Sequence, residues 1–243
     1  MRNLLAPNPR VEQGALTVAT YNVHQWIGRD RRVDPRRTIR VIRELDAEVI
    51  GLQEVILGGK DLRREEIDEA LVKTGTGMTV VQGRTMLHRL GEFGNVLLTA
   101  YPVIGVRKLD LSVDPFEPRG VIDADLEIHG ARVRVLVTHL GLHHKERHDQ
   151  VKRLLSLLPP DPDGVTILLG DVNEWRPLCP TLRLLNRWFG RPPARRTFPT
   201  CFPALPLDRI WVRPKQALKR VRVHVSRESR IASDHLPIVG IID

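Results

Sequence analysis

Short apolar runs recur along the chain from residue 15 onward, and several are bounded by a single polar side chain. Asn22 lies near the end of "ALTVATYNVH" (15–24), Glu54 near the end of "EVIGLQEV" (48–55) and His139 at the end of "RVRVLVTH" (132–139). Asp171 and Asn173 follow "TILLG", Asp208 opens "LDRIW", and Asp234 and His235 precede "LPIVGIID" (236–243). Runs this short, rich in Val, Ile and Thr, read as strands, because buried helices need roughly 10–12 residues. The chain must therefore cover many apolar strand bodies while leaving their polar ends accessible to one another.

Helical patterns alternate with these strands. In "DPRRTIRVIREL" (34–45), Asp34 is an N-cap, Pro35 takes the first helical position, and Ile39, Ile42 and Leu45 share one face. Segment 61–74 reads as a second, charged amphipathic helix. In 144–158, Val151, Leu154, Leu155 and Leu158 fit a helix packed on a sheet. "GNVLLTA" (94–100) and 103–109 read as paired strands turning at Tyr101-Pro102. In 121–128, Ile122, Ala124, Leu126 and Ile128 alternate with Asp123, Asp125 and Glu127, the pattern of a half-exposed strand. Alternation in 132–139 puts Val133, Val135, Val137 and His139 on one face. Pro-rich turns at 159–163, 192–193 and 199–206 interrupt the chain without dividing it. The expected organisation is a tail over residues 1–14 and a single domain over 15–243, with two packed sheets and outer helices.

The chain has 243 residues and a formal charge of +9, with an isoelectric point near 10.2. This balance favours anionic partners such as nucleic acid, a nucleotide or an acidic membrane surface. Arginines are dense around the first helix, at Arg29, Arg31, Arg32, Arg36, Arg37, Arg40 and Arg43. The alternative for this run is the solvated face of a helix and its leading loop. No stretch approaches the roughly 20 apolar residues of a membrane span. The first residues lack the ~7–15-residue apolar core of a secretory signal, so a cytoplasmic location is expected. Cys179 and Cys201 fit no metal-ligand spacing and read as reduced thiols.

Taken singly, the polar strand ends have ordinary explanations, such as an Asx turn at Asp171 or a satisfied histidine at position 139. Taken together, neighbouring strands would bring them to one rim. Converging carboxylates repel unless a cation lies between them. The oxygen donors Asn22, Glu54, Asp171, Asn173 and Asp234 select a hard ion, Mg²⁺ or Mn²⁺, over zinc.

The ordered set "TYNVH", "GLQEV", "GNVLLTAYPV", "RGVI", "VTHLGL", "LLGDVN", "LDRIW" and "SDHLPI" resembles the endonuclease/exonuclease/phosphatase superfamily over nearly the whole chain. "HLGL…R…Q" and "RTFPTCFPALPLDRI" look most like a small bacterial subgroup of uncharacterised metal-dependent hydrolases. The resemblance implies a four-layer α-β-β-α sandwich in which two mixed sheets lie face to face. It implies that Glu54, with Asn22 and Asp234, forms the metal site. Asp171 and Asn173 would orient the attacking water and the scissile phosphate, and His139 would bond the phosphate oxygens. Asp208 would orient His235. Arg119, His24 and Asn95 are the implied substrate-binding positions.

The function expected from these residues is a Mg²⁺-dependent phosphodiesterase or nuclease, acting as a monomer on nucleic acid or another phosphodiester. The alternative is a phospholipase C-like or phosphoinositide-type hydrolase at an anionic phospholipid surface. For it, Trp188, Phe189, Phe198 and Phe202 in segment 187–207 would form an interfacial loop. A binding module that has lost catalysis is disfavoured, because none of the motif positions is missing. Aromatic residues are only 5% of the chain, which argues against a stacking platform for single strands.

Overall fold

The computed structural model describes residues 14–58, 67–160 and 164–243. The tail expected over 1–14 falls almost wholly outside the described residues. In chain order the elements are β1 (Leu16–Asn22), α1 (Pro35–Glu44), β2 (Val49–Leu57), α2 (Glu69–Thr76), β3 (Thr79–His88), β4 (Gly91–Thr99) and β5 (Val103–Asp110). There follow β6 (Gly120–Ile128), β7 (Ala131–His139), α3 (His144–Ser156), β8 (Val165–Asp171), α4 (Pro180–Phe189), β9 (Asp208–Arg213), β10 (Leu218–Val223), α5 (Ser229–Ala232) and β11 (Ile238–Ile242).

The strands form two mixed sheets, one ordered β10-β11-β1-β2-β4-β3 and the other β5-β6-β7-β8-β9. Each contains one parallel pair, β1 with β2 and β7 with β8. Val18, Leu97, Ile122, Val135, Val137, Ile167, Leu169 and Ile210 fill the space between the sheets. On the outer face of the first sheet, Tyr21, Ile50 and Leu52 pack with Val41, Ile42 and Leu45 of the α1 region. On the outer face of the second, Leu136, Leu168 and Trp211 pack with Val151 and Leu154 of α3 and Leu182 and Leu185 of α4. The result is the expected four layers.

Local chemistry explains the helix starts. Asp34 Oδ1 accepts the Arg37 amide at 2.8 Å and Pro35 occupies the first position of α1, as expected. Asp68 caps α2 in the same way, accepting from Leu71 N at 2.7 Å. In α4 the Cys179 thiol takes that place, accepting from Leu182 N at 3.3 Å.

Several expectations are corrected. Residues 94–100 and 103–109 do not pair: β4 lies in the six-stranded sheet and β5 in the five-stranded one, so Tyr101-Pro102 carries the chain from sheet to sheet. The partner of β4 across its hairpin is β3, which the sequence reading omitted, as it did β10 and α4. The second helix starts at Glu69, later than expected; residues 61–66 of that expectation lie outside the described residues. The strand expected over 15–24 stops at Asn22, and the last strand begins at Ile238 instead of 236.

The strand at 121–128 is not half-exposed. Asp123 and Asp125 are buried, because Arg107 and Arg134 lie across Asp123 and Arg107 and Arg132 across Asp125, at 2.6–2.9 Å. The charges on neighbouring strands cover a face that alternation alone assigns to water.

Candidate active site

Register places the polar strand ends side by side. His139, Asp171 and Asp208 are Cα partners across β7, β8 and β9. The parallel β1–β2 pair brings Asn22 beside Gln53, next to Glu54. The two sheets then face each other at this rim. Asn22 Nδ2 in one sheet lies 3.0 Å from Glu54 Oε1 and 3.0 Å from Asp171 Oδ2 in the other. Asn22 Oδ1 accepts the His24 amide at 3.0 Å, which fixes the orientation of the side-chain amide.

Glu54 owes its position to an irregularity. The β2–β4 ladder shifts register between Leu52 and Val55, and Glu54 has φ of 56°. A bulge of this kind re-aims a side chain at the cost of backbone strain. Asn173 (φ 51°) and His24 (φ 46°) share the left-handed conformation. The Glu54 carboxyl is pushed above its usual range by burial and by the negative charge of Asp171, while the hydrogen bond from Asn22 works the other way.

His235 is gripped from two sides. Its Nδ1 is 2.9 Å from Asp208 Oδ2, and its Nε2 is 3.6 Å from Asp171 Oδ2. Burial opposes its charge, but Asp208 and Asp171 outweigh burial and raise its pKa to about 10. His139 goes the other way. Burial lowers it to about 3, assisted by Arg119 and opposed by Asp171, so its imidazole is neutral. Asn173 Nδ2 sits 3.0 Å from His139 Nε2 and donates to the Leu140 carbonyl at 2.9 Å; the Asn173 amide N–H donates to Asp171 Oδ1 at 2.9 Å.

The remaining expected positions lie at the edge of this cluster. Arg119 is buried, with Nη1 bonded to Glu117 and 3.5 Å from His139 Nδ1; its Nε has no hydrogen-bond partner among the described residues. Asn95 does not join the cluster through any bond it makes here. Its amide donates to the Gly120 carbonyl at 3.1 Å and ties β4 to the residue after Arg119. Asp234 is more open than its neighbours, with Oδ1 3.8 Å from His24 Nδ1.

Four further contributors lie within the motifs quoted above, but the sequence reading gave them no role. Thr197 donates a short hydrogen bond to Asp208 Oδ2. Ser233 donates to the Asn22 carbonyl at 2.8 Å and accepts the His235 amide at 3.1 Å, which pins the "SDH" segment to β1. Arg147 donates to the carbonyls of Gly141 and Leu142 and, at 2.9 Å, to Glu174, and the Arg147 and Glu174 side chains are both buried. Gln150 Oε1 accepts the Gly141 amide at 2.9 Å. This is what "HLGL…R…Q" does: it clamps the loop after His139 to the loop after Asn173. A Cβ at Gly141 would meet the Glu146 carboxyl at 1.8 Å, so a side chain there would displace Glu146 from its bonds to Gln150 and the His143 amide.

The basic run is not uniformly solvated. Arg37 turns inward and forms an ion pair with Asp30 at 2.8 Å, and Arg40 pairs with Glu228 at 3.0 Å. Of the aromatic residues in 187–207, Phe189 is buried and Trp188 lies under the Arg213 guanidinium. Phe198 packs 4.8 Å from the His235 ring, and Phe202 is exposed.

A sequence model of the Endonuclease/Exonuclease/phosphatase family matches residues 19–235, from within β1 to the second histidine of the cluster. The chain belongs to that family. It is 31% identical over 249 residues to the uncharacterised YbhP protein of Escherichia coli K12, covering 94% of this chain and 96% of that one. An endonuclease/exonuclease/phosphatase structure from Beutenbergia cavernae superposes with a TM-score of 0.75 at 20% identity, covering 94% of this chain and 71% of that one. A mannosyl-6-phosphatase of Bacteroides thetaiotaomicron superposes with a TM-score of 0.70 at 19% identity, covering 94% and 100%. Family members are hydrolases of phosphoesters and are typically dependent on divalent metal.

The donor chemistry suits such an ion. Asp171, Asp208 and His235 bring ligand atoms within 4.8 Å of one another. Asp208 Oδ2 is already shared by His235 and Thr197, however, which leaves less for a metal there. The better fit is on the Glu54 side, where a carboxylate sits desolvated beside the charge of Asp171 and a cation would offset both penalties. No described helix is long and apolar enough to cross a membrane.

Proposed function

We propose that this protein is a Mg²⁺-dependent phosphodiesterase. The observation that carries the reading is the junction of two sheets at Asn22, Glu54 and Asp171, with the Asp208–His235 pair alongside. Glu54 and Asp234 would hold the ion through carboxylate oxygens suited to Mg²⁺ and tolerant of Mn²⁺, and Asn22, whose Nδ2 bonds Glu54 and Asp171, would support the site by orienting both carboxylates instead of ligating. When bound, the ion supplies positive charge to the phosphoryl oxygens.

The protein's own groups do the rest. Asp208 and Thr197 hold His235 in one orientation, so that its Nε2 faces Asp171. With His235 held in its charged form by Asp208 and Asp171, the proton of the attacking water goes to the Asp171 carboxylate and His235 stands beside it as a positive charge. Asn173, fixed by Asp171 and Leu140, and His139, fixed by Asn173, contact the phosphate oxygens. Arg119 adds a buried positive charge behind His139, where developing negative charge is stabilised most in a water-poor site. A screen of bis-p-nitrophenyl phosphate, oligonucleotides and phospholipid vesicles with and without Mg²⁺ tests this. Hydrolysis of the soluble diester that disappears with EDTA is the expected result. Turnover unaffected by chelation would sink the metal assignment.

A further inference from the structure

Among the described residues, the four most exposed large apolar side chains are Leu87, Leu142, Leu178 and Phe202, each 72–78% exposed. They come from four separate segments, and all four segments lie at the active-site end of the sandwich. Leu142 follows His139 by three residues, and Leu178 sits in the loop between Asn173 and α4. Phe202 is in the loop whose Thr200 amide donates to the Asp234 carbonyl at 2.7 Å. Leu87 pairs with Glu92 at the β3–β4 hairpin, beside the end of β2 that carries Glu54. Each segment also carries an exposed cation: Arg89, Lys145, Arg176 and Arg196 in the same order as the hairpin and loops along the chain. Two nearby acids are ion-paired, Glu92 with Arg84 and Glu228 with Arg40, while Asp149 beside the cavity is exposed with Lys152 4.0 Å away. Between the first turns of α3 and the Leu178 loop lies a cavity of about 700 Å³, bounded by His144, His148, Pro177, Leu178 and Cys179.

Leucines do not sit on loop tips for stability, since their burial is what stabilises a fold. Neither do they read bases, which calls for aromatic faces or hydrogen-bonding groups. Apolar tips flanked by cations match the one surface that is apolar beneath and anionic on top. We propose that this rim is a docking face for an anionic lipid bilayer: the four tips enter the acyl region and the cations engage headgroups, which presents the site to the membrane. Docking stands on the rim alone; its use in catalysis rests on the phosphodiesterase reading above.

Sedimentation with vesicles tests it, using phosphatidylcholine alone and equal parts phosphatidylcholine and phosphatidylglycerol. The protein should partition onto the anionic vesicles and release as salt rises. Leu142→Ser, Leu178→Ser and Phe202→Ser should each lower the partition coefficient about tenfold, while their melting temperatures and their turnover of bis-p-nitrophenyl phosphate match the parent. Equal partitioning of parent and variants overturns the proposal, as does binding that ignores lipid charge. So does absence of vesicle binding together with oligonucleotide binding that the same substitutions weaken. Vesicle binding by a parent that hydrolyses no diester supports docking and removes the catalytic reading instead.

Discussion

Oδ2 of Asp208 stands 2.9 Å from Nδ1 of His235, joining the first residue of β9 in one sheet to the segment before β11 in the other. Asp208 is buried and its Oδ2 is taken by His235 and Thr197, so on the proposed reading it acts through His235. His235→Ala and Asp208→Asn should therefore be non-additive, with the double variant no slower than His235→Ala alone. Diester turnover by the single and double variants measures this. Multiplicative losses would show two independent residues.

Glu54→Gln should remove most activity and keep the fold. Gln is close in shape, and it removes a carboxylate that is desolvated and repelled by Asp171. An amide binds Mg²⁺ poorly. Without metal, variant and parent should melt at nearly the same temperature. With Mg²⁺ at a hundredfold excess over its dissociation constant, the parent should gain about 2.7 kcal/mol and the variant almost nothing. An equal shift in both would move the ion elsewhere.

The Arg147–Glu174 pair is a buried structural clamp, and Glu174 has a second, exposed cation in Arg176, 3.3 Å away. Removing Glu174 strands Arg147 as a buried charge, which costs about 3–5 kcal/mol, whereas removing Arg147 leaves Glu174 its bond to Arg176. Glu174→Ala should show this loss in urea unfolding, and Arg147→Ala a smaller one. The combined Arg147→Met, Glu174→Leu variant should recover part of it, because it leaves no unpaired charge. A Glu174→Ala cost below about 1 kcal/mol, the level of an exposed pair, would contradict the clamp.

The Asp123–Asp125 cluster predicts acid sensitivity. Burial raises both carboxyls, but the guanidinium bonds from Arg107, Arg132 and Arg134 outweigh it and hold them below their usual range. A folded-state value below the unfolded one means that the unfolded chain binds more protons in acid. Their stabilisation is thus complete above the unfolded aspartate value of about 3.9 and is lost as pH falls through the lowered folded values. The stability gap between parent and Asp123→Asn should be widest at neutral pH and should close below about pH 4, as read by urea midpoints across that range. A gap that stays constant into acid would mean that the arginines do not depress Asp123.

Much of the site was legible before any fold was known, because strand ends are local features. Asn22, Glu54, His139, Asp171, Asp208 and His235 are each marked by a polar side chain at the edge of an apolar run, and the structure brings these six to one rim. Thr197 and Ser233 carried no such mark. A hydroxyl in a Pro-rich loop looks the same whether it meets water or a buried carboxylate. The bulge at Glu54 was equally silent, since it exists only where pairing sets an extra residue of β2 against β4.

What the sequence determined by itself was element type, helix capping and family: periodicity, Asp34-Pro35 and the ordered motifs are all properties of neighbouring residues. Partnership was decided by tertiary structure. Tyr101-Pro102 reads as a hairpin turn, yet β4 and β5 part there, because strand pairing is a bond between distant segments that no local pattern encodes. Asp123 and Asp125 read as solvated, yet arginines from β5 and β7 cover them. Alternation says which side chains share a face. Only the packed chain supplies what lies on it, because a buried charge is stable solely where another element delivers its partner.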